Sequence, residues 1–198
     1  MHAEPVSSDR LLLEPLRVGH AEEMAVVLAA PELYTFTGGE PPTVDDLSRT
    51  YARQVRGRSA DGGQWWLNWV VRRRDTGHAV GYVQATVDTA RPAAELAWVV
   101  GTAHQGLGFA QEAAGLVVDA LRAAGITRFT AHVHPDHAAS AAVARRVGLL
   151  LTDTVEDGEQ RWESPCRSPP VPHGARHQRS PSRRAAAAIW INTESCSA

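Results

Sequence analysis

The segment Gln105-Gly106-Leu107-Gly108-Phe109-Ala110 has the residue types of an anion cradle. An apolar run, Ala94–Val100, precedes it, and a helical apolar period follows from Ala113. A strand that turns into a helix in this way sets successive backbone N–H groups at a helix N-terminus. Those amides lack intrahelical acceptors and, with the helix dipole, favour an anion, phosphate above all. Gly106 and Gly108 have no Cβ, so the backbone can turn tightly and approach a ligand. The same glycines also suit a plain strand-to-helix turn, and spacing alone leaves both readings open. Two nucleotide signatures are excluded: Gly-x-Gly-x-x-Gly breaks at Gln111, and the NTPase phosphate loop needs a lysine, which this sequence lacks entirely.

Other residues invite chemistry less strongly. His132, His134 and His137 with Asp136 resemble part of a metal site, but no second cluster closes the coordination, so no metal is expected. His104 reads as a loop histidine. Trp65 and Trp69 share a strand face and read as core, whereas Trp66 on the other face is available to line an acceptor pocket. Arg72-Arg73-Arg74 reads as a solvated strand end.

The elements that must position the turn follow from periodicity. Leu11–Leu16 reads as an opening strand, His20–Ala30 as a short helix stopped by Pro31, and Thr37–Pro42 as a loop. Thr43 caps a helix with Asp45 and Asp46 in its first turn, ending near Gly57. From Trp65 the period becomes two: Trp65–Arg72 and His78–Val87 form a hairpin about Asp75-Thr76-Gly77, followed by Ala94–Val100. The helix after the turn has Ala113, Leu116, Val117, Ala120 and Leu121 on one face and stops at Gly125. Ile126–Val133 is a strand, and Pro135-Asp136-His137 opens a helix whose face is Ala139, Val143 and Val147. Leu149–Val155 and Gln160–Trp162 close the fold, an α/β domain over residues 1–163 with a largely antiparallel first half.

Composition narrows the function classes. Residues 1–163 carry 15 Arg against 21 acids, and residues 164–198 carry 5 Arg against 1 acid. An acidic body argues against a nucleic-acid partner and is compatible with a cationic substrate. Both cysteines, Cys166 and Cys196, stand near the C-terminus, which excludes a cysteine nucleophile or a disulfide framework in the body. Met1–Arg10 has no apolar run behind a basic patch, and no stretch has the roughly 18 apolar residues of a membrane span. A cytoplasmic protein without a membrane partner is expected, as monomer or homodimer. The Pro-, Ser- and Arg-rich segment 164–198 is predicted to be disordered.

Ala94-Glu95-Leu96-Ala97-Trp98-Val99-Val100 followed by Gln105–Ala113 resembles the GCN5-related N-acetyltransferase (GNAT) superfamily, whose Gln/Arg-x-x-Gly-x-Gly/Ala motif is matched by Gln105, Gly108 and Ala110. Pro135–Ser140 with Arg146–Leu149 is similar to the Asn-x-x-Ser…Gly-Phe block of the branch that acetylates ribosomal-protein N-termini. The resemblance implies a mixed, largely antiparallel sheet with flanking helices and a splayed strand pair, Ala94–Val100 and Ile126–Val133. Acetyl-CoA would lie in that gap, its arm on backbone near Trp98, Val99 and Val100, its pyrophosphate on the amides of Gln105, Gly106, Leu107, Gly108, Phe109 and Ala110. It further implies Glu95 as the base for a small-molecule amine or a protein N-terminus, with Ser140 near the coenzyme sulfur. A backbone N–H near Val99 or Val100 would stabilise the oxyanion. Two residues depart from the pattern: His137 replaces the usual Asn at a coenzyme contact, and Ala144 stands where many relatives have a general-acid tyrosine. Ala144 gives footing to a rival reading, a non-catalytic acyl-CoA-binding sensor.

Overall fold

The structure is a computed structural model and describes residues 1–165. The chain runs through β1 (Val6–Ser7), β2 (Leu11–Pro15), α1 (Ala21–Val27), α2 (Val44–Gln54), β3 (Gln64–Arg73), β4 (Ala79–Asp88), β5 (Ala93–Val100), α3 (Phe109–Ala123), β6 (Arg128–Val133), α4 (Ala138–Arg146), β7 (Leu150–Glu156) and β8 (Glu159–Glu163). The strands form one sheet in the order β1-β2-β3-β4-β5-β6-β8-β7. Every neighbouring pair is antiparallel except β5 and β6. This is the mixed, largely antiparallel sheet with flanking helices that the sequence led us to expect.

Local chemistry accounts for the element ends. The Thr43 hydroxyl accepts from the Asp46 amide at 3.1 Å while the Asp46 carboxylate accepts from the Thr43 amide at 3.0 Å, a reciprocal cap that starts α2. Pro15, unable to donate to a ladder, ends β2 opposite Trp69.

Alternation divides the sheet into two faces. Leu67, Trp69 and Val71 of β3, Val83, Ala85 and Val87 of β4, Ala94, Leu96 and Val100 of β5, and Phe129, Ala131 and Val133 of β6 pack with α3 and α4. Val70, Tyr82 and Val99 face the other way, toward α1 and α2. The core face of α3 is Ala113, Ala114, Val117, Val118 and Leu121, so the predicted stripe is rotated: Leu116 and Ala120 lie at its margin. In α4 the buried residues are Ala141, Val143 and Ala144, and Ala139 is exposed rather than part of the face.

Ser164 extends the fold past the predicted boundary, its amide donating to Phe129 O at 2.8 Å and its hydroxyl accepting from Phe129 N at 3.0 Å. Residues 166–198 of the segment predicted to be disordered, with both cysteines, lie outside the described residues. Among the described residues no helix is long and apolar enough to cross a membrane.

Candidate active site

The parallel pairing of β5 with β6 covers only Ala93 to Glu95 against Arg128 to Thr130. Beyond Glu95, β5 keeps its bonds to β4 as far as Val100, and β6 turns instead to β8, pairing Ala131 with Trp162 and Val133 with Gln160. The two strands therefore part into a fork whose base is Glu95.

The register decides which backbone groups face the fork. Gly101 donates to Val80 O at 2.9 Å, which makes Gly81–Val100 a non-hydrogen-bonded pair. The amides of Val100 and Trp98 then point into the fork, while that of Val99 points at β4. Of the three residues expected to bond the carrier's arm, two have their amides so placed. Gly81 is required here, because a Cβ would fall 2.1 Å from Val99 O.

At the mouth of the fork the chain turns through Gly106 and Gly108, with φ of 75° and 78°, left-handed values that favour glycine. Gly108 is the N-cap of α3, and the first intrahelical bond runs from Glu112 N to Gly108 O at 3.1 Å. The amides of Phe109, Ala110 and Gln111 precede that bond and point out of the helix end. A Cβ on Gly106 would meet nothing within 4 Å, and one on Gly108 only the Arg10 guanidinium at 3.7 Å. The cradle is thus open on the side where a phosphate would sit, and these residues fit a pyrophosphate-bearing carrier.

Gln105 differs from expectation. Its amide donates to Thr102 O at 3.3 Å and its side chain to Val100 O at 3.0 Å, so it fastens the turn to the end of β5 rather than offering a free donor. Phe109 contributes its amide only, since its ring is buried in the α3 core.

Arg10, which sequence reasoning missed, braces the same turn. It donates to Leu107 O at 3.2 Å and to Glu112 at 2.8 Å, lies 5.1 Å from the Phe109 ring centre, and shares Glu112 with the Ser8 hydroxyl at 2.5 Å. An acid in the first turn of α3 was visible as a dipole partner. Its cation stands 102 residues away and gives no local signal.

Glu95 is joined to a partner that the sequence did not pair with it. The His132 Nδ1 lies 3.1 Å from Glu95 Oε1, and the two side chains are 9% and 20% exposed. Among the described residues, His132 Nε2 is buried without a hydrogen-bond partner, 3.5 Å from Glu156 Oε2. The bond to Glu95 outweighs burial and holds the imidazolium, raising the His132 pKa.

His134 and His137 turn instead to Phe36, with ring centres 5.2 and 4.5 Å apart, the His137 ring stacked. This seats the loop after α1 on the N-terminus of α4. Burial lowers the His137 pKa, with His134 adding to the effect. Among the described residues no three His, Cys, Asp or Glu gather as a metal site.

Ser140 stands half-buried in the first turn of α4, and among the described residues its hydroxyl has no hydrogen-bond partner. Ala144, one turn on, is fully enclosed in the core, its carbonyl accepting from the Leu149 amide at 3.0 Å. Trp66 shares the face of Glu95 through the cross-strand row Trp66–Thr86–Glu95, and Trp69 is core, donating to Glu4 O at 2.7 Å. Arg72 is not a solvated strand end: it lies 18% exposed between Glu14 and Glu23.

A fork between parallel strands, an amide cradle at its mouth and a carboxylate at its base define a site for acyl transfer from a phosphorylated carrier. The family profile described as the acetyltransferase (GNAT) domain matches residues 10–150, and the chain belongs to that family. It is an acetyl-CoA-dependent N-acetyltransferase.

Among solved structures, the chain is similar to the microcin C7 self-immunity acetyltransferase MccE in complex with acetyl-CoA and AMP (TM-score 0.66, 16% identity, 79% of this chain and 93% of that one). It is similar to RimL, the ribosomal L7/L12 α-N-protein acetyltransferase, in complex with coenzyme A (0.66, 15%, 81% and 97%). A chimera of the spermidine N-acetyltransferase SpeG from Vibrio cholerae and hSSAT also matches (0.62, 16%, 78% and 94%). No curated protein sequence matches the chain.

Proposed function

We propose that this chain acetylates a primary amine in the cytoplasm, a small cationic molecule in preference to a protein N-terminus, with Glu95 as the base. The observation that carries the reading is the place of Glu95 at the base of the fork, one carboxylate oxygen engaged by His132 and the other left to meet the amine. Acidic Glu156, Asp157 and Glu159 on the neighbouring hairpin favour a cationic acceptor. RimL and SpeG, similar in fold, are named for a protein N-terminus and for spermidine respectively.

Acetyl-CoA supplies the activated acetyl thioester. The amides from Gly106 to Ala110 hold its pyrophosphate, and those of Trp98 and Val100 face its arm; His137, in the family's Asn position, closes the α4 side with Phe36. Glu95 takes a proton from the ammonium, directly or through water, so that the nitrogen attacks as a neutral amine. The Val100 N–H donates to the carbonyl oxygen as negative charge gathers there. The nitrogen sheds its second proton as the C–S bond breaks, and the Ser140 hydroxyl, one turn before the enclosed Ala144, relays that proton to the departing thiolate, so serine ends as it began.

Thiol release from acetyl-CoA over a panel of amines, beside a thermal-shift titration with the coenzyme, tests this reading. Coenzyme stabilisation with turnover on a cationic amine is expected. Stabilisation without turnover on any amine favours the acyl-CoA-binding module, and no stabilisation by any acyl-CoA contradicts both. Gly108→Asp is expected to abolish coenzyme stabilisation, because it adds bulk and a negative charge where the pyrophosphate should lie.

A further inference from the structure

Buried histidines ordinarily have both ring nitrogens answered. In His20, Nδ1 accepts from the Arg17 amide at 3.2 Å, so Nε2 carries the hydrogen and faces Glu14 at 3.5 Å. His132 has the reverse arrangement: Nδ1 meets the Glu95 carboxylate at 3.1 Å, and Nε2, buried and without a hydrogen bond among the described residues, stands 3.5 Å from Glu156. An oxygen and a ring nitrogen 3.1 Å apart need a proton between them, so Nδ1 carries hydrogen and donates to the Glu95 carboxylate. The second nitrogen, Nε2, is then the only one free to change its protonation.

Charged and titratable groups face this ring from every strand around it. Glu95 comes from β5, Glu156 from β7, and Arg161 with Glu159 from β8. The three acids outnumber the one arginine, and Arg161 is itself drawn off by Glu163 at 2.6 Å and Glu156 at 3.4 Å. The setting favours a proton on Nε2 at low pH and lets it leave toward Glu156, which is 48% exposed.

We infer that His132 is the positioning residue of Glu95, and that release of its Nε2 proton is what frees Glu95 to act as a base. This rests on the reading of Glu95 given above. While both ring nitrogens carry hydrogen, the imidazolium holds Glu95 in an ion pair, and an ion-paired carboxylate is a poor acceptor for the amine's proton. When the Nε2 proton passes to Glu156 or water, the neutral ring keeps Nδ1–H and so keeps Oε1 in place. The full opposing charge is gone, and the other carboxylate oxygen gains basicity. Each catalytic proton still moves from the ammonium to Glu95; His132 exchanges its own proton only with Glu156 or water. The rate therefore rises as pH climbs through the His132 titration, which the Glu95 bond sets above the ordinary imidazole range.

The test measures kcat and KM for the amine against pH in the wild-type chain and in His132→Asn, His132→Phe and Glu156→Gln, with coenzyme stabilisation as the check on folding. Asparagine can offer a neutral N–H near the place of Nδ1 but cannot ionise. His132→Asn is expected to keep kcat within about threefold at alkaline pH and to lose the acidic limb. His132→Phe is expected to lower kcat about tenfold or more with little change in KM. Glu156→Gln is expected to move the limb to lower pH, since the anion facing Nε2 is gone. A limb unchanged in His132→Asn, or a wild-type rate in His132→Phe, overturns the inference. If Glu95→Gln is slow while His132→Phe is not, this inference alone fails; if Glu95→Gln is as fast as wild type, the base assignment beneath it fails.

Discussion

Near β2 and β3, Arg72 donates to Glu14 at 2.6 Å through Nε and to Glu23 at 2.8 Å through Nη1, and His20 completes the group. Near β5 and β6, Glu95 and His132 share one bond, and the remaining ring nitrogen faces Glu156 at 3.5 Å without a hydrogen bond among the described residues. Both clusters are partly buried and lie on the face of the sheet that α1 and α2 cover in part. In the first all three nitrogens of Arg72 find a carboxylate, which is how a structural network is built. In the second a donor is left over at the point where two strands part. Burial and charge alone do not distinguish the two clusters; the second differs in standing where two strands part, with one ring nitrogen left without a hydrogen bond among the described residues.

The sharpest way to break the comparison is to remove the central cation of the closed cluster. Arg72→Met strands Glu14 and Glu23 and is expected to cost about 2–4 kcal/mol, less than a fully buried pair because solvent screens part of it. Denaturant unfolding measures this, and kcat per folded molecule should stay within about twofold, since Arg72 is remote from the reacting groups. A large loss of kcat at unchanged stability would reverse the roles assigned to the two clusters.

A double-variant cycle sharpens the other half. If His132 works through Glu95, then Glu95→Gln with His132→Phe should be no slower than Glu95→Gln alone, whereas Arg72→Met should add independently to either.

The smallest expected effect is one of sign with pH. Burial alone would raise the Glu14 pKa, but the Arg72 bond and charge prevail and hold it below the ordinary value. Its contribution to stability is therefore present above the unfolded carboxylate pKa and lost as pH falls through the folded one. His132 is shifted upward, so its contribution is complete below the unfolded imidazole pKa and lost as pH rises through the folded value. Unfolding free energies of Glu14→Gln and His132→Phe against wild type should thus converge with it at opposite ends of the pH scale, acid for the first and alkaline for the second.

The features legible in the sequence were those whose cause is local. Thr43 with Asp46, the hairpin about Asp75-Thr76-Gly77, and the glycine turn before α3 are each set by neighbours a few positions apart. The helix faces were half legible: Val117 and Leu121 are core, but Ala-rich α3 offers apolar residues on several sides, and only contact with the sheet selects Ala114 and Val118 over Leu116 and Ala120. Gln105 matched the motif, yet its own bonds to Thr102 and Val100 show it holding the turn from within. Glu95 could be singled out on its strand, but His132 could not be assigned to it. Their meeting depends on the single parallel pairing in the sheet, which aligns Glu95 with Thr130 and so brings the residue two beyond it to the fork.

The most direct measurement is acetyl transfer by Glu95→Gln at saturating acetyl-CoA and amine, with the coenzyme's Kd taken on the same preparation. The account predicts an unchanged Kd and a kcat lower by about a hundredfold or more, as for loss of a general base. A kcat equal to wild type across pH, with Kd unchanged, would contradict it.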